Sequence, residues 1–256
     1  MFGVGLHTGK PVEVTLSRGN NGITFNGVRV SHNTVNGLPL CTQIGNVSTI
    51  EHLMSALWYR NVTNVDITVS GDELPILDGS SKQWVDALDT LGSYDTNTKY
   101  LKIIKEKNVS VDDKMITVVP SEKFGVKFAF QHNEYTQLYQ YENYEDIYSA
   151  RTFCFKKDID ALLSNGYGKS SNQNNTLILN DDLTPLNSDD NQEFIKHKVL
   201  DFIGDMYGSG YRIVGDFYCY KSGHFINNIM LKAILNDKTC YEIVEIWPWS
   251  CFYTCT

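Results

Sequence analysis

The chain has 256 residues, 42% of them hydrophobic, enough for one large core or two modest ones, and carries a formal charge of -8 at pH 7. That acidic balance argues against a nucleic-acid binder, which needs basic stripes to neutralise phosphates, and any anionic ligand must be met by a local positive site. No run reaches the roughly 18 apolar residues of a spanning helix, the start MFGVGLHTGK has neither a charged leader nor an apolar core, and the six cysteines form no CxxC pair, so a cytoplasmic protein with reduced thiols is expected.

In chain order, Val12, Val14 and Leu16 alternate in PVEVTLS, short runs ITF and VRV follow, and Val65, Ile67 and Val69 alternate in VDITVS, which predicts strands with one buried face. Between them Ile50, Leu53, Met54, Leu57 and Trp58 recur at helical spacing, the stripe of an amphipathic helix packed on a sheet. Asp78-Gly79 reads as a turn, after which Ser80 or Ser81 can cap a helix carrying Trp84, Val85, Leu88 and Leu91. GSYDTNTK, residues 92–99, has no large aliphatic side chain and reads as a linker. Strands resume at YLKII, MITVV and GVKFAF, with helices near 193–207 and 224–235. The polar SSNQNN, 170–175, is expected to be an exposed loop. This order predicts an α+β fold of two similar layers, each a sheet packed on helices, divided as 1–95 and 100–256.

Three segments carry candidate chemistry. In EFIKHKVLDFIGDMY, His197, Asp201 and Asp205 fall four apart, off the apolar stripe of Ile195, Val199, Phe202, Ile203 and Met206. A His and an Asp at i and i+4 can bind one metal ion, or form a solvated pair worth a few tenths of a kcal/mol. A catalytic zinc site needs a third protein ligand and an open position; STIEHL offers His52, with Glu51 beside it, although Ser48-Thr49-Ile50-Glu51 also fits a capping box. In KSGHFINN, His224 stands near a helix start, as an electrostatic catalyst or as a cap. His32 and His132 lack partners at ligand spacing, and His7, among glycines, reads as part of a turn.

Six collinear segments resemble one family: GVGLHTGK at 3–10, STIEHLMSAL at 48–57, ELPILDGSS at 73–81, SARTF at 149–153, HKVLDFIGD at 197–205 and YKSGHFINN at 220–228. They are similar to the UDP-3-O-acyl-N-acetylglucosamine deacetylases of lipid A synthesis. The resemblance implies two α/β layers with the active site between them, and a Zn2+ held by His52, His197 and Asp201. It also implies Glu51 as general base, and Thr152 as a hydrogen-bond donor to the substrate carbonyl or tetrahedral oxygen. His224 would stabilise the oxyanion and protonate the leaving group, with Asp205 orienting it; Lys198, near the diphosphate, and Phe153 would contact substrate. The implied partner is a UDP-linked acylated amino sugar, with transient contact with membrane lipid, no nucleic acid, and a monomeric enzyme.

The sequence departs from the family pattern in three places. Members carry one more strand ahead of GVGLHTGK, so an unpaired edge is expected in the first sheet. SSNQNN replaces the family's GGS, which bears on acyl-chain specificity, because the insertion at about 154–178 lines the acyl passage in relatives. The tail IWPWSCFYTCT reads as a packed last strand. A silent metal-binding scaffold of the same fold, or a deacetylase for another acyl amide, are the alternatives to be tested.

Overall fold

The computed structural model describes residues 1–90 and 99–245. Alternation gives the expected strands in the first half: Val12 and Val14 of Pro11–Arg18, and Val65, Ile67 and Val69 of Val65–Val69, are buried while their neighbours face out. The first sheet runs Phe2–Val4, Pro11–Arg18, Val65–Val69, Ile23–Phe25, Val28–Arg29. The second runs Lys107–Val111, Lys114–Val119, Arg212–Tyr220, Phe124–His132, Tyr135–Gln140, and is extended by Tyr100–Ile103 and Tyr241–Val244.

The two five-strand paths have one pattern of directions. In each, the central strand (Val65–Val69 or Arg212–Tyr220) is antiparallel to the second strand and parallel to the fourth, and each of those carries an antiparallel outer strand. The similarity of two layers, undetectable residue by residue, is therefore present in the topology.

Five helices are described: α1 (Glu51–Tyr59), α2 (Lys82–Thr90), α3 (Ile159–Ser164), α4 (Glu193–Tyr207) and α5 (His224–Leu235). α1 and α2 bracket the central strand of the first half in sequence, and α4 and α5 bracket that of the second. Each half also has an insertion before its first bracketing helix. One is a small sheet of Val35–Gly37, Thr42–Ile44 and Val47–Ser48; the other is α3 with the parallel pair Phe153–Phe155 and Leu177–Leu179.

The amphipathic reading of α1 needs correction. Every residue from Glu51 to Trp58 is buried, because α4 covers the face that a surface helix would give to water. The two helices cross so closely that a Cβ on Gly204 would stand 2.1 Å from the carbonyl oxygen of Glu51, a contact that only glycine allows. Trp58 then reaches the second half, its ring 5.2 Å from Phe124 with the Arg212 guanidinium 4.3 Å away, and Tyr207 donates its hydroxyl to the Val62 carbonyl at 2.8 Å. The buried apolar residues of both halves make one continuous core.

Among the described residues Phe2–Val4 is the outer strand of the first sheet beside Pro11–Arg18, with Phe2 and Val4 exposed. Residues 171–174 of the polar segment are exposed as read, whereas Asn175 is buried, its side chain accepting from the Asn172 N–H and donating to the Ser170 carbonyl. The linker, apart from Lys99, and the tail 246–256 lie outside the described residues. Four described cysteines, Cys41, Cys154, Cys219 and Cys240, are free thiols, and no described helix is long and apolar enough to cross a membrane.

Candidate active site

The α1–α4 crossing brings residues 145 positions apart in sequence into one buried cluster. His52, in the first turn of α1, and His197 and Asp201, one turn apart on α4, offer ligand atoms that all lie within 4.8 Å of one another. His52 Nε2 stands 3.5 Å and His197 Nε2 3.4 Å from Asp201 Oδ1, and the two rings meet edge to face. His197 Nδ1 donates to the Ala150 carbonyl at 2.9 Å, which fixes the ring and leaves Nε2 free to bind an ion. Asp201 Oδ1 is buried without a hydrogen-bond partner. An orphaned carboxylate oxygen facing two imidazole nitrogens fits a divalent cation, and the two-nitrogen, one-oxygen donor set suits zinc with its fourth position open.

The charges are mutually adjusted. Burial works against the Asp201 carboxylate, but His197, His52 and His224 hold it well below the usual carboxylate range. Burial pushes His197 down to about 4, against the pull of Asp201, which keeps the ring neutral as a ligand must be. Burial also opposes charge on His52, but Asp201 more than offsets this and its pKa is raised.

Glu51, the first residue of α1, is fully enclosed. Burial pushes its carboxyl up to about 7, against the pull of His224 and His52, within reach of proton transfer at neutral pH. It makes no capping box: its Oε2 accepts the Thr42 backbone N–H at 2.8 Å, while the Ser48 hydroxyl donates to the Asp72 carbonyl. The helix start is instead held by Glu73, which accepts from the backbone N–H groups of His7 and Thr8 and from the hydroxyl of Thr49, a residue at φ 60°. Its carboxylate thereby ties the His7 turn to the α1 start.

His224 opens α5 after Gly223 in extended conformation. Its Nδ1 donates to Asp205 Oδ2 at 2.9 Å, and its Nε2 is 3.9 Å from Asp201 Oδ2, so the ring is held from behind and faces the ligand cluster. Burial disfavours the imidazolium, yet Asp205, with smaller help from Glu51 and Asp201, raises the pKa to about 9. The strand at Gly37 backs this turn so tightly that a Cβ there would stand 1.9 Å from the His224 carbonyl oxygen.

A cavity of about 460 Å³ opens beside the cluster, lined by Asp201, His224, Thr152 and Lys198 together with apolar residues such as Phe155 and Leu162. Several residues of the 154–178 insertion are thus part of its wall. The Thr152 main chain is held by its N–H donating to the Gly79 carbonyl at 2.8 Å and its own carbonyl accepting from Leu177. Phe153 packs edge to face on Phe194, and the Lys198 ammonium lies 5.8 Å from the Phe153 ring centre. Close packing pushes the Lys198 pKa down, with Asp201 and Asp205 opposing. Of the nine residues that the resemblance implied, Thr152, Phe153, Lys198, Asp201 and His224 line the cavity, His52 and His197 face Asp201, Asp205 holds His224, and Glu51 precedes His52 in α1.

A family model described as UDP-3-O-acyl N-acetylglycosamine deacetylase matches residues 1–236. The chain belongs to the UDP-3-O-acyl-N-acetylglycosamine deacetylase family. Relatives within the deacetylase family include the UDP-3-O-acyl-N-acetylglucosamine deacetylase of Campylobacter jejuni subsp. jejuni serotype O:6, 34% identical over 95% of this chain and 91% of the relative. Those of Pseudoalteromonas atlantica and Shewanella sediminis are each 35% identical over 95% of this chain, with 90% and 89% of the relative covered.

The sequence reading missed residues around this deacetylase-family site. Thr42 joins Glu51 to Asp205, Asn227 donates to Asp205 Oδ2 at 2.7 Å, and Arg151 clasps Glu193 at the start of α4 through two parallel bonds of 2.7 and 3.0 Å. Thr42 lies in a three-residue strand with no periodic signal. Asn227 was detectable as the residue one turn beyond Gly223, and Arg151 as the cation of SARTF.

Proposed function

We propose that this chain is a Zn2+-dependent amide hydrolase that removes acetate from UDP-3-O-(3-hydroxyacyl)-N-acetylglucosamine, an early step of lipid A synthesis. The observation that carries the reading is the buried, unpartnered Asp201 Oδ1 facing His52 and His197, with Glu51 next to His52 in α1 and His224 Nε2 3.9 Å from Asp201 Oδ2. Membership of the deacetylase family supports the substrate class.

His52 Nε2, His197 Nε2 and Asp201 would hold the ion, which supplies Lewis acidity to the amide carbonyl and to a water whose pKa it lowers to about 7. Glu51 takes a proton from the attacking water as the new C–O bond forms. Charge then gathers on the former carbonyl oxygen, where the His224 imidazolium and the Thr152 hydroxyl stabilise it, each such donor contributing about 3 kcal/mol. As the C–N bond breaks, His224 Nε2 delivers a proton to the departing amine, and Asp205 on Nδ1 keeps the ring aligned for that transfer. Lys198 meets the diphosphate, Phe153 packs beside the substrate, and the apolar residues of the cavity wall take the acyl chain. On this reading the enzyme is a cytoplasmic monomer that visits membrane lipid through its substrate.

Acetate release by purified protein tests the proposal. Activity should vanish with a chelator and return with Zn2+, and Glu51→Ala and His224→Ala should each lower kcat by about 10²-fold or more. A folded, zinc-loaded protein with no turnover would point to a silent scaffold, and turnover only on other amides to a different substrate.

A further inference from the structure

Thr42 spends each of its polar groups on a different partner. Its N–H donates to Glu51 Oε2 at 2.8 Å, its carbonyl accepts the Ile50 N–H at 3.2 Å, and its hydroxyl donates to Asp205 Oδ1 at 2.5 Å while lying 3.4 Å from His224 Nδ1. The residue is 4% exposed and lies in a small sheet that belongs to neither of the two large ones. Glu51 and Asp205 come from different halves of the molecule, so this one side chain and its own peptide group bridge α1 and α4 beside the site.

We infer that Thr42 is a positioning residue that locks the Glu51 base and the Asp205–His224 pair into one fixed geometry. The inference rests on the proposed function for its consequences in catalysis. The backbone N–H holds one carboxylate oxygen of Glu51, and no described donor meets the other, Oε1, which is left to accept the water proton. On Asp205 the division is similar: the Thr42 hydroxyl holds Oδ1, while Oδ2 serves His224 Nδ1 and Asn227 Nδ2. Without the hydroxyl, Asp205 can rotate and the imidazole it aims loses its fixed direction. The backbone bond to Glu51 survives any side-chain change, so the hydroxyl can be tested alone.

Thr42→Val keeps the shape and the N–H, and Thr42→Ser keeps the hydroxyl. The valine variant is expected to lose about tenfold in kcat, the effect of one hydrogen bond to a charged group, with KM and bound zinc unchanged, and the serine variant to recover most of the loss. In a His224→Ala background, Thr42→Val should add little, because the residue through which it acts is gone. The second readout needs no turnover: in protein carrying 15N-histidine, the His224 Nδ1 proton resonance should move in Thr42→Val and stay in Thr42→Ser. Equal kcat and an unmoved resonance in Thr42→Val would overturn the inference, as would a full additional loss in the His224→Ala background. Wild-type protein without deacetylase turnover would instead count against the proposed function, leaving the resonance to decide the role of Thr42.

Discussion

The two halves share strand order and strand direction, yet they supply unequal chemistry. α1 and α4 hold matching places and meet at Gly204; α1 gives Glu51 and His52 from its first turn, while α4 gives His197, Asp201 and Asp205 along its middle. α2 and α5 also match in place. α5 opens with His224, but α2 opens on serines, where Ser80 Oγ accepts the Lys82 N–H and the Ser81 hydroxyl donates to the His52 carbonyl. One copy of the second helix therefore braces His52 from behind and the other faces the cavity. The topology is a scaffold used twice, and the two copies differ in which side chains their helices carry.

Removing the proposed ligand His197 from α4 should break this division most sharply. His197→Ala is expected to reduce bound zinc, measured by elemental analysis after dialysis, from about one ion per chain to below about one-tenth of that. Full retention would mean that the ion is held elsewhere.

The α1–α4 contact comes next. Gly204→Ala sets a Cβ against the Glu51 carbonyl, so the helices must part, at about 3 kcal/mol by urea unfolding, and activity should fall with stability. A cost under about 1 kcal/mol would show that the halves dock with slack.

The Arg151–Glu193 clasp should be smaller in effect and dependent on pH. Burial opposes the Glu193 carboxylate, but its bonds from Arg151 hold its pKa below the ordinary 4.5. The clasp therefore stabilises above pH 4.5, and its contribution is lost as pH falls below that value and through the lowered folded pKa. Glu193→Gln should lose about 2 kcal/mol at pH 7 and less as the pH is lowered through that window. A pH-independent difference in unfolding free energy would rule out the ionised clasp. Smallest is Lys82→Ala in α2, which removes an exposed pair with Asp86 and should leave both the unfolding midpoint and kcat unchanged.

The candidate site residues are named by the resemblance of six collinear motifs, whereas spacing alone leaves His197 and Asp201 as either a metal pair or a solvated one. His197, Asp201 and Asp205 repeat at one helical turn, and the helices at 193–207 and 224–235 fall where the periodicity and the glycine before His224 put them. What spacing could not give is burial. The polar stripe of α4 reads as a solvated face until a second helix covers it, and α1 reads as amphipathic for the same reason. Strand Arg212–Tyr220, central to the second sheet, escaped notice because Gly215 and Asp216 interrupt its apolar run. Thr42 escaped because its partners, Glu51 and Asp205, are assembled by tertiary contact.

The crossing at Gly204 also sets an order on biosynthesis. A ribosome releases α1 long before α4, so the nascent first half waits with the face around Glu51 uncovered, its carboxylate in water and its apolar neighbours open to other chains. The cluster becomes enclosed only when α4 arrives, and is completed once residue 224 follows. A stalled or prematurely terminated chain would then be a species with a bare helix and no ligand set, one for chaperones and proteases to recognise.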